Sequence, residues 1–508
     1  MKRFSFLMAA LLVAMTGCQK EPQQKTEAEG NNIYMTFSVK PVTKSATDGE
    51  GNSNSDANPE IEVGKDVENK ISNVQVYLHS TEGNIKATDV NLVGGGVYYT
   101  ATFKEEQIKK NATYSVYVIC NDTETLATVA PDTQTKTISA TAVSELNISA
   151  DNNFLMTNAE QAVTIQITEE KLNSCMSPAT PLNLGIVKVE RTVARFDYAN
   201  AEADNLYEIA GNTVQINLCE AAVINVSNAS YYYRRVATIA EDGTVSAAEI
   251  GGVEGPTNYV VDTDWTAKTT LKGTWAKETA ATLFTYPLED EDSWKWIDIT
   301  NLAEDDNIEG QIDGSANEYH FLSYVSENTL PGVEAQINGL STGVVFRGYL
   351  HDGTAKLSGT ENLYVYANKY YGNWAAVQTA ATPGTDAALT GAYEAVKADP
   401  TDLAACATAG FTVYTPDASG NYPVYYYYWN RHNDNDDNFK MGPMEFAVVR
   451  NNVYKLAVTK INNFGHPEDP EGDPDPIKPE NEDEQVRHYF QVSVKVLPWT
   501  VRVNNIEF

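Results

Sequence analysis

The sequence predicts an all-β protein with few short helices. Apolar and polar residues alternate in short runs along most of the chain: Val74/Val76/Leu78, Tyr114/Val116/Val118, Val163/Ile165/Ile167 and Val214/Ile216/Leu218. Period two puts alternate side chains on one face of a strand. Turn residues separate the runs at the spacing of β-sandwiches. The 29 tyrosines, including the run Tyr425 to Tyr428, suit strands with one wet face. Helical spacing is rare. Asp386 to Ala398 places Leu389, Tyr393 and Val396 at i, i+4 and i+7, and Asp402 to Ala409 predicts a second short helix with Gly410 as its C′ residue. At 508 residues and 42% hydrophobic content the chain can bury real cores, in about two to four domains.

Both ends depart from this body. Lys2 and Arg3 precede an apolar run, Phe4 to Met15, too short to span a bilayer and right for the core of a signal peptide. Met15-Thr16-Gly17-Cys18 then resembles a lipobox. Residues 1–17 are therefore expected to be cleaved, with Cys18 as the lipidation site of a palmitate-type lipoprotein. After the polar stretch Gln19 to Asn31, Ile33, Met35, Phe37 and Val39 form one apolar face, alternating with Tyr34, Thr36, Ser38 and Lys40. Pro41 ends the strand, and a Gly-, Asn-, Ser- and Asp-rich stretch runs from Ser45 to Pro59. Lys44-Ser45 sits where proteases act, whereas Lys40 is shielded by the proline that follows it.

Near the other end, Pro467 to Glu484 holds five prolines and nine acidic residues against one lysine. Such a segment extends rather than folds. Beyond it Phe490, Val492, Val494 and Val496 share one face. Leu497-Pro498 shifts the phase, and Trp499, Val501 and Val503 continue on the opposite parity.

Neither leashed strand is stable alone in water. Four buried side chains are worth roughly 6–12 kcal/mol before entropy costs, so each strand must join a sheet somewhere. Excision of the early strand would leave an apolar groove between two unpaired edges. A second ladder of the same kind could fill it by β-augmentation. Which of the two segments after the linker would enter is open at this stage.

Other chemistry is poorly supported. A net charge of −33 repels nucleic acid and anionic lipid, so no nucleic-acid partner is expected. Cys120, Cys175, Cys219 and Cys406 show no metal spacing and read as buried thiols. Gly339-Leu340-Ser341-Thr342-Gly343 matches a nucleophile-elbow pattern, but a strand rather than a helix follows it, so a turn is expected. Asp434, Asp436, Asn438 and Glu445 fit a calcium-loop spacing, with Phe439 where the loop needs glycine. The six histidines show no zinc spacing. No catalytic residue, metal or cofactor is therefore assigned.

Three segments point to a family. Val189-Glu190-Arg191-Thr192-Val193-Ala194-Arg195 resembles the V-E-R-x-V-A-R motif of the major fimbrial subunits of Bacteroidia, the fimbrillins or type V pilins. Val448-Val449-Arg450-Asn451-Asn452-Val453-Tyr454 and Val496-Leu497-Pro498-Trp499-Thr500-Val501 are similar to two further motifs of that family, in the same order. The resemblance is nearest to the short-fimbria shaft subunit.

It implies two tandem transthyretin-like β-sandwich domains, here residues 45–187 and 188–465. A propeptide with a removable first strand (18–44) precedes them; an acidic Pro-rich linker (466–487) and a C-terminal donor-strand arm (488–508) follow. It implies export as a lipoprotein to the outer membrane on a temporary lipid anchor, then cleavage at Lys44/Ser45 by a protease specific for basic residues. Polymerisation with copies of itself and with accessory subunits would make a surface fimbrium that supports adhesion. The best-known relatives are cut after arginine, so a processing enzyme here must accept lysine. Arg191 and Arg195 are read as structural charges where the two domains meet. The alternatives are a monomeric surface lipoprotein that binds glycan or host protein, a tip or accessory subunit, and a hydrolase on a β scaffold.

Overall fold

The computed structural model describes residues 31–41, 65–93, 98–122, 124, 134–200, 202–239, 246, 248–251, 258–271, 282–287, 294–302, 308–312, 315–330, 338–382, 386–432, 444–467 and 490–498. Cys18, Lys44 and Ser45 lie outside them, as do Trp499, Val501 and Val503.

The first part of the chain supplies β1 (Asn32–Pro41), β2 (Val74–Ser80), β3 (Gly83–Lys86), β4 (Asp89–Val93), β5 (Tyr98–Lys104), β6 (Ala112–Cys120), β7 (Met156–Asn158), β8 (Val163–Ile167) and β9 (Leu182–Arg191). They form one nine-stranded sheet in the order β3-β2-β6-β7-β9-β1-β5-β4, with β8 beside β6. The sheet curls until its ends meet: Ala87 N–H donates to Val76 of β2 (2.9 Å), and Thr88 N–H to Thr102 of β5 (2.7 Å). Curling lets the alternating faces of Val76/Leu78, Tyr114/Val116/Val118 and Ala101/Phe103 bury together.

After Thr192 the chain changes sheet. The strands are β10 (Val193–Asn200), β11 (Leu206–Glu208), β12 (Gln215–Ile224), β13 (Ile308–Ile312), β14 (Ser315–Ser326), β15 (Gly343–His351), β16 (Leu363–Tyr366), β17 (Lys369–Tyr371), β18 (Phe411–Tyr414), β19 (Pro423–Trp429), β20 (Asn452–Ile461) and β21 (Phe490–Pro498). One sheet runs β13-β14-β10-β20-β21 and a second β11-β12-β15-β19. They pack face to face, with Tyr198 of β10 against Phe346 of β15 (ring centroids 5.7 Å). Tyr207 on β11 donates its hydroxyl to the Val458 carbonyl on β20 (2.9 Å). The boundary expected after residue 187 falls inside β9, which continues to Arg191.

Between β15 and β19 sits a small layer of its own, β17-β16-β18 under three helices: α1 (Trp374–Ala380), α2 (Ala387–Val396) and α3 (Leu403–Thr408). The two expected helices are present. Asp386 and Asp402 cap them, accepting from Leu389 N–H and Ala405 N–H, and Gly410 follows α3 at φ +92°. The spacing that gave those two did not reveal α1, which Asn373 caps. Its apolar stripe is mostly alanine, too weak to register as a period.

The tyrosine run on β19 is not half-wet as expected. Tyr426 and Tyr428 face the main core, while Tyr425 packs into a second cluster with Trp294, Trp429 and Phe446 and Tyr427 lies against it. The four cysteines Cys120, Cys175, Cys219 and Cys406 are buried free thiols. Ser341, the would-be nucleophile, is buried, and its carbonyl accepts from Asn225 Nδ2 (2.9 Å). A Cβ on Gly343 would lie 2.7 Å from the Trp429 ring, so this glycine permits close packing at the start of β15. Glu445 of the calcium pattern is buried against Arg431; Asp434, Asp436 and Asn438 lie outside the described residues. Among the described residues no cluster of His, Cys, Asp or Glu could hold a metal.

Candidate functional site

The first strand lies in the interior of its sheet. β1 runs parallel to β9 on one side, with Met35 opposite Leu182 and Pro41 opposite Val189. On the other side it runs antiparallel to β5, with Ile33 opposite Phe103 and Met35 opposite Ala101. Ile33, Met35 and Phe37 are fully buried, and the fourth expected rung, Val39, is half-buried and packs against the same core. The alternate residues Tyr34, Thr36 and Ser38 point away from that core, because successive side chains leave a strand on opposite faces. Phe37 stacks on Tyr99 (ring centroids 5.8 Å). The strand is also pinned at its start. Glu105 N–H donates to the Asn31 carbonyl and Tyr34 N–H to the Cys175 carbonyl, each at 2.9 Å. Lys104 Nζ reaches Asn32 Oδ1 at 3.0 Å.

Removing β1 would therefore part β9 from β5. It would unroof Phe103, Ala101, Leu184 and Val187, which are buried in the same cluster. The loss has two components. Three full apolar burials are worth about 1.5–3 kcal/mol each. A backbone ladder is lost on both sides, and every orphaned N–H and C=O that stays dry adds a further penalty.

The last described strand is placed differently. β21 lies at the end of its sheet, antiparallel to β20, with Phe490 opposite Ile461, Val494 opposite Leu456 and Pro498 opposite Asn452. Among the described residues it pairs on one side only. The two ladders that the sequence singles out thus occupy unequal positions. One is enclosed by two neighbours; the other is held by one.

Between the two halves lies a buried ionic cluster that sequence reading only half anticipated. Glu68, on the short 3₁₀ turn Asp66–Asn69, has no exposed surface. Both its carboxylate oxygens accept from Arg195 Nη1 at 2.9 Å, and Tyr324 donates its hydroxyl at 2.7 Å. Arg195 also pairs with Asp197 at 2.9 Å. Arg191 donates Nε to the Glu68 carbonyl (2.9 Å), Nη1 to Asn451 Oδ1 (3.0 Å) and Nη2 to Asn69 Oδ1. Burial opposes ionisation of Glu68, but Arg195, Tyr324 and Arg191 together hold its carboxyl below the usual range. Burial, opposed by Glu68, pulls Arg191 down to about 10.

A second buried set adjoins this one. Arg450 grips Glu327 through Nε and Nη2 (both 2.9 Å) and donates to the Tyr231 and Tyr232 carbonyls. Glu190 lies 3.3 Å from Arg234. Burial pushes its carboxyl up to about 7, against the pull of Arg234 and Arg450. The first two motifs of the sequence thus serve as the lock between the halves. Glu68 and Glu327, the acids that complete it, belong to no motif and could not be picked out.

Residues 421–505 match the family described as "Major fimbrial subunit protein type IV, Fimbrillin, C-terminal". That span holds β19, β20, Arg450, Asn451 and β21. No curated protein matches the chain by sequence. A solved fimbrilin (FimA) from Porphyromonas gingivalis W83 is 14% identical, covering 93% of this chain and 99% of its own, with a TM-score of 0.36. The tip fimbrial protein Mfa3 from Porphyromonas gingivalis is 10% identical over 92% of this chain and 100% of its own, with a TM-score of 0.31. The matched region, residues 421–505, is thus similar to the C-terminal part of the fimbrillin family of major fimbrial subunits.

Proposed function

We propose that this protein is a shaft subunit of a surface fimbrium, built by donor-strand exchange from a lipoprotein precursor. In this reading Cys18 carries a temporary lipid at the outer membrane. A protease cuts at Lys44-Ser45, β1 departs, and the C-terminal arm of another copy takes its place. The two halves act as tandem transthyretin-like sandwich domains, joined near Thr192 by the buried arginine–glutamate lock. Accessory subunits would end or anchor the polymer.

The observation that carries this reading is the position of β1. A strand from the start of the chain fills the middle of a sheet with three fully buried apolar side chains. One cut in residues 42–64 would leave it held by noncovalent contacts alone. Possession of both a central first strand and a separate C-terminal ladder favours a shaft subunit, which must both receive and donate.

The test is direct. N-terminal sequencing of subunits from the cell surface should begin at Ser45. Precursor treated with a Lys-specific protease should form a ladder on a non-boiled gel, and deletion of 489–508 should leave monomers of unchanged fold. Surface material that retains residues 18–44 and its lipid would instead favour the monomeric lipoprotein.

A further inference from the structure

The two ladders also share an end. β1 reads Ile33, Met35, Phe37, Val39 and then Pro41; β21 reads Phe490, Val492, Val494, Val496 and then Pro498. In each, four apolar rungs at every second position are followed, two residues on, by proline, and each strand stops on that proline. From this we infer that residues 490–498 of a second copy enter the groove in the same direction as β1 and in one register. Phe490 takes the place of Ile33, Val492 of Met35, Val494 of Phe37, Val496 of Val39 and Pro498 of Pro41. This rests on the strand-exchange reading. It adds the segment, its polarity and its alignment.

The proline marks one register among several. Proline has no N–H and so interrupts a ladder. β1 already tolerates that gap at Pro41, opposite Val189 on β9. A donor running the same way, rung for rung, brings its own gap to that point. Shifted along by one rung pair, Pro498 would land at Val39, inside the stretch that β1 pairs with β9 rather than at its end. Run backwards, the four rungs still fit, but Pro498 falls at the place of Asn31 and the two proline-marked ends no longer coincide. A slip of one residue would turn every rung to the wrong face. The forward register also brings Gln491 and Lys495 to the outward positions of Tyr34 and Ser38. Those positions lie opposite Thr102 on β5 and Ile186 on β9. Ile186 is 61% exposed, so that face is wet and suits a lysine and a glutamine.

Thr102 and Ile186 therefore report polarity. Two singly substituted, trimmed proteins are mixed so that every cross-link is intermolecular: one carries Gln491→Cys or Lys495→Cys, the other Thr102→Cys or Ile186→Cys. The forward register predicts an oxidised dimer band for Gln491→Cys with Thr102→Cys and for Lys495→Cys with Ile186→Cys. The crossed combinations should stay at the background of the unsubstituted protein. Bands only in the crossed combinations would overturn the polarity and leave strand exchange standing. Ladders on the gel with no cross-link in any combination would overturn the segment and its register. If the unsubstituted trimmed protein makes no ladder, the exchange itself fails and the register falls with it.

Discussion

Glu190 offers a sharp test of the lock between the halves. Its carboxyl is fully buried and pushed up to about 7 from an ordinary 4.5, because burial outweighs Arg234 and Arg450. A raised carboxyl favours the folded state when protonated. That contribution is complete below the unfolded value near 4.5 and is lost as pH rises through 7. At about 1.4 kcal/mol per pH unit, the gap amounts to roughly 3 kcal/mol, of which about 2 kcal/mol lies between pH 5.5 and pH 8. Glu190→Gln keeps the shape and cannot ionise. It should be more stable than the parent by about 1.4 kcal/mol at pH 5.5 and by about 3 kcal/mol at pH 8, so that the gap widens by about 2 kcal/mol between them. Denaturant midpoints at the two pH values measure this, with the m-value checked for constancy. If the glutamine variant is less stable at both, Glu190 is ionised and serves Arg234 as a counter-ion, and the reasoning from burial is wrong.

Three other outcomes follow. Phe37→Ala should destabilise the untrimmed precursor by about 3–5 kcal/mol through the cavity it leaves, yet leave a polymer assembled as proposed unaffected, because the strand carrying it would by then be gone. Melting of precursor and polymer side by side checks both halves of that statement. Glu68→Leu removes the buried carboxylate that accepts from Arg195 and Tyr324 and should cost about 3–5 kcal/mol, with part of the loss recovered by adding Arg195→Leu; denaturant titration of the double-mutant cycle measures it. Val494→Phe restores in the donor the volume that Phe37 supplies in β1 and should raise the temperature at which non-boiled ladders dissociate, whereas Val492→Phe should not.

Much of this was legible in the sequence, for identifiable reasons. Strands β2, β6, β8 and β12 appear where alternation runs through three apolar residues, and α2 and α3 where an aspartate cap opens the helical spacing. Those signals are local. The place of β1 is not. That it lies between β9 and β5, parallel to one and antiparallel to the other, depends on pairing with residues far along the chain. Alternation announces a buried face without naming the neighbour. Arg191 and Arg195 were recognisable as junction charges, but Glu68 is 127 positions from Arg195 and sits in a stretch, Lys65 to Lys70, that reads as a solvated turn. Burial of a charge inside a polar-looking segment leaves no periodic trace. The wet face expected for the tyrosine run failed for a related reason: the Trp294 and Phe446 that cover it come from other parts of the chain.

The edge position of β21 reaches beyond a single subunit. In a filament formed as proposed, every arm that departs to a neighbour uncovers the backbone of β20, from Asn452 to Ile461. Each subunit then shows the surroundings one open row of amides and carbonyls, repeated at the filament's own pitch. Open rows of that kind recruit other strands unless something blunts them. A polymer of this protein would therefore carry a regular series of docking edges along its flank, through which neighbouring filaments could bundle side by side.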